Sequence, residues 1–267
     1  MSAADPAVSF CNVSVVRGGR SILDSVDWEV GSTGRWVVLG PNGSGKTTLL
    51  QIAGGRLMPS RGSVSVLGSR FGRSDLRTMR GRVSLVSAAT VRALRPFLTS
   101  REVVVTGRDG ALLPVRRRYT DEDWAEVDDV LRRVVGFDAV RLRDAPFGLL
   151  SEGERQQVLI ARSLMAAAEL ILLDEPASGL DLGARERLVT RMGALASDQR
   201  VPAMVLVTHH LEEVPPGFTH GLLIAEGRVL AAGRLEEVLT AQLVSACFGI
   251  PVHVEQNDGR WWAHSRG

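Results

Sequence analysis

Short apolar runs, cut by glycines and carboxylates, set the pattern of this chain, and each has the length of one structural element. Arg35 to Gly40, RWVVLG, is rich in valine with no polar alternation, which predicts a strand buried on both faces. Lys46 to Gly55, KTTLLQIAGG, follows as a helix stopped by Gly54 and Gly55. Glu169 to Pro176, ELILLDEP, is a second unbroken run and predicts a central parallel strand ending in two carboxylates. From Thr120 to Val135 the period changes to that of a helix. Thr120 can cap it, Trp124, Val127, Leu131, Val134 and Val135 share one face, and Gly136 ends it. Nothing in that stripe points to a cofactor, so it reads as the core of a helical lobe. Leu149 to Met165, LLSEGERQQVLIARSLM, starts another helix, with Ser151 and Glu154 in the S-x-x-E spacing of a capping box. No internal repeat or low-complexity tract interrupts this order, and no apolar run approaches the roughly 18 to 20 residues that span a bilayer.

Composition narrows the function classes. The 267 residues suffice for a full core. Net charge is only +2 with the signs interspersed, which argues against a strong non-specific nucleic-acid binder; no direct nucleic-acid partner is expected. The opening MSAADPAVSF has neither a basic nor an apolar signal region, so no secretory signal is expected. Cys11 and Cys247 lie far apart, and a reduced, cytoplasmic setting with the thiols as small hydrophobes is the simplest reading. Arg116 to Tyr119, RRRY, reads as a solvated charge cluster.

One residue stands out. Lys46 is the only lysine among 32 basic residues, so the chain uses arginine everywhere else. It closes GPNGSGKT, Gly40 to Thr47, the P-loop pattern GxxxxGK[ST], and it lies between a predicted strand and a predicted helix. Glycines let successive N–H groups point at phosphate oxygens, and the helix N-terminus adds its partial positive charge. A compact ammonium reaches the β- and γ-phosphates where a planar guanidinium would crowd the cradle. Gly40, Pro41, Asn42, Gly43, Ser44, Gly45, Lys46, Thr47 and Thr48 are therefore the expected nucleotide-binding set. Thr47 supplies a hydroxyl for Mg²⁺, and Asp174 at the end of the second apolar run joins it as a metal ligand. Glu175 beside it is the candidate general base that polarises the attacking water.

A P-loop alone leaves kinases, GTPases and many ATPases open. Three further segments, in order, resemble those of ABC ATPases. LSEGE, Leu150 to Glu154, is similar to the family's LSGGQ signature; ASGLD, Ala177 to Asp181, to its D-loop; and VLVTHH, Val205 to His210, to its switch strand. The resemblance runs from VSVVRGGRSILDSVDWEV to LLIAEGRVLAAGRLEEVL. It implies an α/β fold with a RecA-like P-loop NTPase core, an N-terminal antiparallel β-subdomain, an inserted helical lobe at about 90–165 and a tail at about 235–267, all within one domain, 1–267. The tail and the segment LTSREVVVTGRDG resemble ATPases of iron-chelate and cobalamin uptake.

The resemblance also implies a mechanism. ATP and Mg²⁺ would be held between two copies of the chain arranged head to tail, with Ser151, Gly153 and Asp181 of one copy facing the P-loop of the other. His209 would contact the γ-phosphate and join Glu175 and Lys46 as a catalytic residue. The stroke would drive a separate transmembrane permease, which places the chain in the cytoplasm, peripheral at the cytoplasmic face of the cell membrane. A soluble ABC ATPase acting on ribosomes or DNA, or an ATP-dependent dimerising regulator with little turnover, stays open as an alternative. Three positions depart from the family pattern. Glu152 and Glu154 replace a glycine and a glutamine of the signature, Ala88 stands where the Q-loop glutamine is expected, and Arg17 occupies the place of the aromatic residue that stacks on adenine. The expectation is that Glu154 turns back to its own helix cap, that Ser87 or water substitutes for the glutamine, and that Arg17 stacks on the purine.

Overall fold

In the computed structural model, residues 5–114 and 119–265 are described; Arg116, Arg117 and Arg118 of the RRRY cluster lie outside them. Strands β1 (Val8–Arg17) and β2 (Arg20–Val30) form a hairpin. β3 (Arg35–Leu39) then leads through the P-loop into α1 (Lys46–Ala53), which ends on Gly54 as the sequence predicts. β4 (Arg61–Val66) and β5 (Ser69–Arg70) complete an antiparallel sheet of order β2-β1-β4-β5. After α2 (Leu76–Gly81) and β6 (Val83–Val86) comes a helical stretch: α3 (Ala88–Ala93), α4 (Ser100–Val105), α5 (Asp121–Val135), α6 (Ala139–Arg143) and α7 (Glu152–Met165). The chain returns through β7 (Leu170–Asp174), α8 (Leu182–Ala196), β8 (Ala203–Thr208), β9 (His220–Ala225) and β10 (Arg228–Arg234). It finishes with α9 (Leu235–Val238), α10 (Ala241–Phe248) and a hairpin of β11 (Val252–Asn257) and β12 (Arg260–Ser265).

The second sheet has the order β10-β9-β3-β8-β7-β6, parallel from β9 to β6 with β10 antiparallel at the edge. Successive residues of a strand point to opposite faces, and here both faces are covered. Val38, Leu170, Leu172, Val205 and Val207 pack with α1 and the antiparallel sheet, while Val37, Leu39, Ile171, Leu173, Met204 and Leu206 pack with the helical stretch, α8 and the C-terminal segment. That is why RWVVL and LILLD show no polar alternation. Parallel strands also bring the carboxyl ends of β3, β6, β7 and β8 to one rim, where open α/β sheets bind their ligands.

The helix predicted from Thr120 forms with a complete capping box: Thr120 accepts from the Asp123 N–H at 3.2 Å, and Asp123 accepts from the Thr120 N–H at 2.9 Å. Its buried face includes Val127, Leu131, Val134 and Val135, with Val130 added and Trp124 only half-buried, its ring covered by the Arg101 guanidinium.

The two thiols separate by burial: Cys11 is exposed, and burial pushes Cys247 of α10 up to about 11. An aromatic disulfide reagent near pH 8 should titrate one thiol in the native protein and both after denaturation; two fast-reacting thiols in the native state would contradict the docking of α10.

Candidate functional site

The P-loop is built against neighbouring backbone. A β carbon on Gly40 would lie 2.0 Å from the Ile224 carbonyl oxygen, and one on Gly45 would lie 2.6 Å from the Leu23 side chain and 2.9 Å from the Ile22 carbonyl. Gly45 also has φ +104, a conformation that a side chain would strain. Ser44 is buried, and its carbonyl accepts from the Gly227 N–H at 3.1 Å. The loop therefore curls around Lys46, whose side chain is only 4% exposed. Its Nζ donates to the carbonyls of Gly40 at 2.8 Å and Pro41 at 2.9 Å and stands 3.8 Å from Glu175 Oε1. Burial pulls the Lys46 ammonium below its ordinary range, and the Glu175 and Asp174 carboxylates oppose that pull.

Above the loop lies an open cavity of about 580 Å³ lined by Asn42, Gly43, Gly45, Lys46, Thr47, Thr48, Asp174 and Glu175, with Ala88 on its wall. Thr47 Oγ1 donates to Asp174 Oδ1 at 3.2 Å. Burial raises the Asp174 carboxyl above the usual carboxylate range, with the Thr47 hydrogen bond opposing. Among the described residues no cluster of three or more metal-ligating His, Cys, Asp or Glu side chains is assembled. The pair of hard oxygen donors, Thr47 and Asp174, fits a small divalent cation whose remaining ligands are water and phosphate. Glu175 holds φ at +49, a left-handed conformation unusual for a side-chain-bearing residue, while its N–H donates to Val207 O at 3.0 Å. His209 Nδ1 lies 3.3 Å from Glu175 Oε1.

Other predicted residues fall elsewhere. Ser151 and Gly153 line a second cavity, of about 240 Å³, beside Ala184 of α8, while Glu152 between them lines the cavity of Lys46. Asp181 caps α8, accepting from the Ala184 N–H at 2.8 Å. Arg17 is exposed at the tip of the first hairpin opposite Arg20, and it is Ile22, from the same hairpin, that lines the large cavity. Sequence reasoning missed Ile22, Ser178, Glu152 and Gln156 as lining residues. The i, i+4 spacing of Glu152 and Gln156 on α7 was the available signal, and Gln156 Nε2 donates to Glu152 Oε1 at 3.1 Å. At the position of the missing glutamine, Ala88 opens α3, and Ser87 Oγ lies 3.4 Å from Thr90 Oγ1.

Glu154 turns back onto its own helix cap: its Oε2 accepts from the Ser151 N–H at 2.8 Å and the Ser151 hydroxyl at 2.9 Å, and its Oε1 pairs with Arg141. Burial pushes Glu154 up, but Arg141 and the Ser151 donors outweigh it and hold the carboxyl below the usual range.

A family model described as ABC transporter matches residues 23–178. The chain belongs to the ABC transporter ATP-binding family. Over 93% of each chain it is 37% identical to the uncharacterized ABC transporter ATP-binding protein YlmA of Bacillus subtilis (strain 168). It is 34% identical to the hemin import ATP-binding protein HmuV of Rhodococcus jostii (strain RHA1), over 91% of this chain and 80% of that one. Among solved structures, a putative metal-chelate type ABC transporter in an inward-facing conformation has the same fold, with TM-score 0.74 at 21% identity over 97% of this chain and 96% of that one. The dimeric ABC transporter cassette MJ0796 superposes with TM-score 0.72 at 24% identity, over 85% of this chain and 98% of its own. As an ABC ATPase the protein binds and hydrolyses ATP as a transporter subunit, and among the described residues no helix is long and apolar enough to cross a membrane.

Two predictions follow from this geometry. Lys46→Arg should weaken ATP binding by about tenfold or more in calorimetric titration, because the wider cation cannot fit between the Gly40 and Pro41 carbonyls and the phosphates; unchanged affinity would contradict it. If the Asp174 carboxylate holds the metal, metal-dependent nucleotide binding should be complete above that group's raised pKa and decline as pH falls through it. The decline should begin at a higher pH than for an ordinary carboxylate and vanish in Asp174→Asn, as read by Mg²⁺-dependent nucleotide affinity across a pH series.

Proposed function

We propose that two copies of this chain close head to tail on two MgATP molecules at the cytoplasmic face of the membrane, and that the opening that follows hydrolysis drives a separate transmembrane permease. The observation that supports this reading is that Ser151 and Gly153 do not line the cavity of the P-loop in their own chain. Lys46, Thr47, Asp174 and Glu175 line one cavity, and Ser151 and Gly153 line another. A second copy unites them, as Ser151 and Gly153 of one meet the γ-phosphate held by the other, with Asp181 at the same seam.

Within each site the chain's residues divide the work. The backbone from Gly40 to Thr48 and the Lys46 ammonium bind the phosphates, while Arg17 at the hairpin tip and Ile22 inside the cavity receive the adenine. Thr47 and Asp174 would hold Mg²⁺, which would neutralise phosphate charge there. Glu175 orients and polarises the attacking water, and its left-handed backbone aims the carboxylate away from the strand toward the cavity. His209, within reach of Glu175, positions that carboxylate and contacts the γ-phosphate. The dimer is a two-state element: ATP bridges the closed state, and loss of the bridge releases it. Relatives covering 91% of this chain are named for hemin and cobalamin import, which supports uptake of a metal chelate as the cargo class.

Glu175→Gln should bind ATP, accumulate as a dimer in light-scattering chromatography with saturating MgATP, and stop turning over. Adding Ser151→Ala to that variant should return it to monomer. A Glu175→Gln protein that stays monomeric under those conditions would refute the paired-site reading.

A further inference from the structure

The C-terminal hairpin has no part in the reading above, yet it is bound to the segment that carries His209. His209 and His210 lie between β8 and a single 3-10 turn, Leu211–Glu213. Two fixings hold that turn. From inside, the buried Glu213 carboxylate accepts from the Thr208 hydroxyl, and Thr208 Oγ1 accepts from the His210 N–H at 3.1 Å. From outside, Arg260 at the start of β12 donates through Nη2 to the Glu212 carbonyl at 2.7 Å. The same guanidinium makes a two-pronged pair with Glu186 of α8, Nη1 to Oε2 at 2.8 Å and Nη2 to Oε1 at 3.2 Å. Its neighbour Trp261 is 7% exposed and belongs to the main core, which anchors the hairpin against the turn.

Arg260 is thus a planar fork joining three elements: the terminal hairpin, the turn after His209, and the helix that Asp181 caps. A guanidinium held in two directions at once fixes position better than a single-point cation. Its side chain is 16% exposed, so the bonds are shielded in part from water. The His209 ring meets Glu175 at 3.3 Å and the His210 ring at 4.1 Å between centroids, and both histidines ride on the backbone between β8 and the turn, so the ring's place depends on how that backbone is held.

We propose that Arg260 is a positioning residue for ATP hydrolysis: through the Glu212 carbonyl and Glu186 it holds His209 against Glu175 and in fixed relation to α8. The inference rests on the role given to His209 in the proposed function.

The test compares wild type, Arg260→Ala, Arg260→Lys, His209→Ala and the double variant Arg260→Ala with His209→Ala, as full chains, by steady-state ATP hydrolysis and by calorimetric ADP affinity. Misplacement by about an ångström costs up to roughly a hundredfold in rate. Arg260→Ala should therefore lower kcat by about ten- to a hundredfold with ADP affinity within about twofold of wild type. Arg260→Lys should recover part of the loss, since it retains one of the two directions. In the double variant the losses should not multiply, because both act on one group. Imidazole ¹⁵N resonances of His209 should move in Arg260→Ala toward those of a solvent-exposed histidine, a change that lost stability alone would not cause. Glu186→Gln keeps the bond to the Glu212 carbonyl and guards against undocking of the hairpin; it should give a smaller loss of the same kind. Unchanged kcat in Arg260→Ala with a slowed His209→Ala would overturn the inference and leave the proposed function standing, as would multiplying losses in the double variant. Full activity in His209→Ala would remove the role of His209 and the inference with it.

Discussion

Everything at the site depends on holding one ammonium group where water is scarce. Lys46 is almost wholly buried, and an unpaired buried charge would neutralise itself. The loop keeps it charged with two carbonyls of its own, Gly40 and Pro41, and with the nearby Glu175 carboxylate. That arrangement explains the glycines, since a β carbon at position 40 or 45 would strike the backbone of β9 or β2. It also suits the cation, because a compact ammonium on a flexible stem can turn its three donors to two carbonyls of one tight loop and still keep one free.

The rest of the fold brings groups to that ammonium. Because the central strands are parallel, their carboxyl ends share a rim, and Asp174, Glu175 and His209 reach it from β7 and β8 without long excursions. Because alternate residues of those strands enter two different cores, the strands are clamped from both sides, and the rim inherits their rigidity. Left-handed Glu175 is the local exception. Its N–H still pairs with Val207, so the strain sits on a residue that the sheet restrains on one side and whose carboxylate is directed at the cavity.

How much of this was legible in the sequence follows from the range of the interactions. The P-loop, the helix begun by Thr120 and the cap at Ser151 are local features, written within a few adjacent residues, and the structure has each of them. The burial of RWVVL and LILLD was legible for the same reason. The partners of Glu154 were legible by half: its return to Ser151 lies within the capping box, but its ion pair with Arg141 depends on how α6 packs near α7. That Ile22 enters the cavity while Arg17 stays at the exposed tip depends on the twist and irregular register of the β1–β2 hairpin, which composition does not encode. Arg260 was illegible, since it meets a carboxylate 74 residues away.

The acidic signature shows why position matters more than residue type. Two carboxylates at the head of a phosphate-binding helix would repel a triphosphate if both faced outward. Here Glu154 spends both oxygens inward, one on the Ser151 donors and one on Arg141, while Glu152 receives the Gln156 amide at 3.1 Å and stands 3.4 Å from Arg155. Glu154 is thus neutralised within its own cap and ion pair, whereas Glu152, whose partners Gln156 and Arg155 lie on the same helix, still lines the cavity that holds Lys46. The cost falls on Ser151, whose one hydroxyl proton is already given to Glu154 and would have to turn away from it to reach any other acceptor. A hydroxyl has a single donor, so the exchange takes rotation about one bond and the loss of the Glu154 contact. The cap at Ser151 is therefore closed on its own helix, its hydroxyl donating to Glu154 Oε2 at 2.9 Å and accepting from the Glu154 N–H at 3.4 Å.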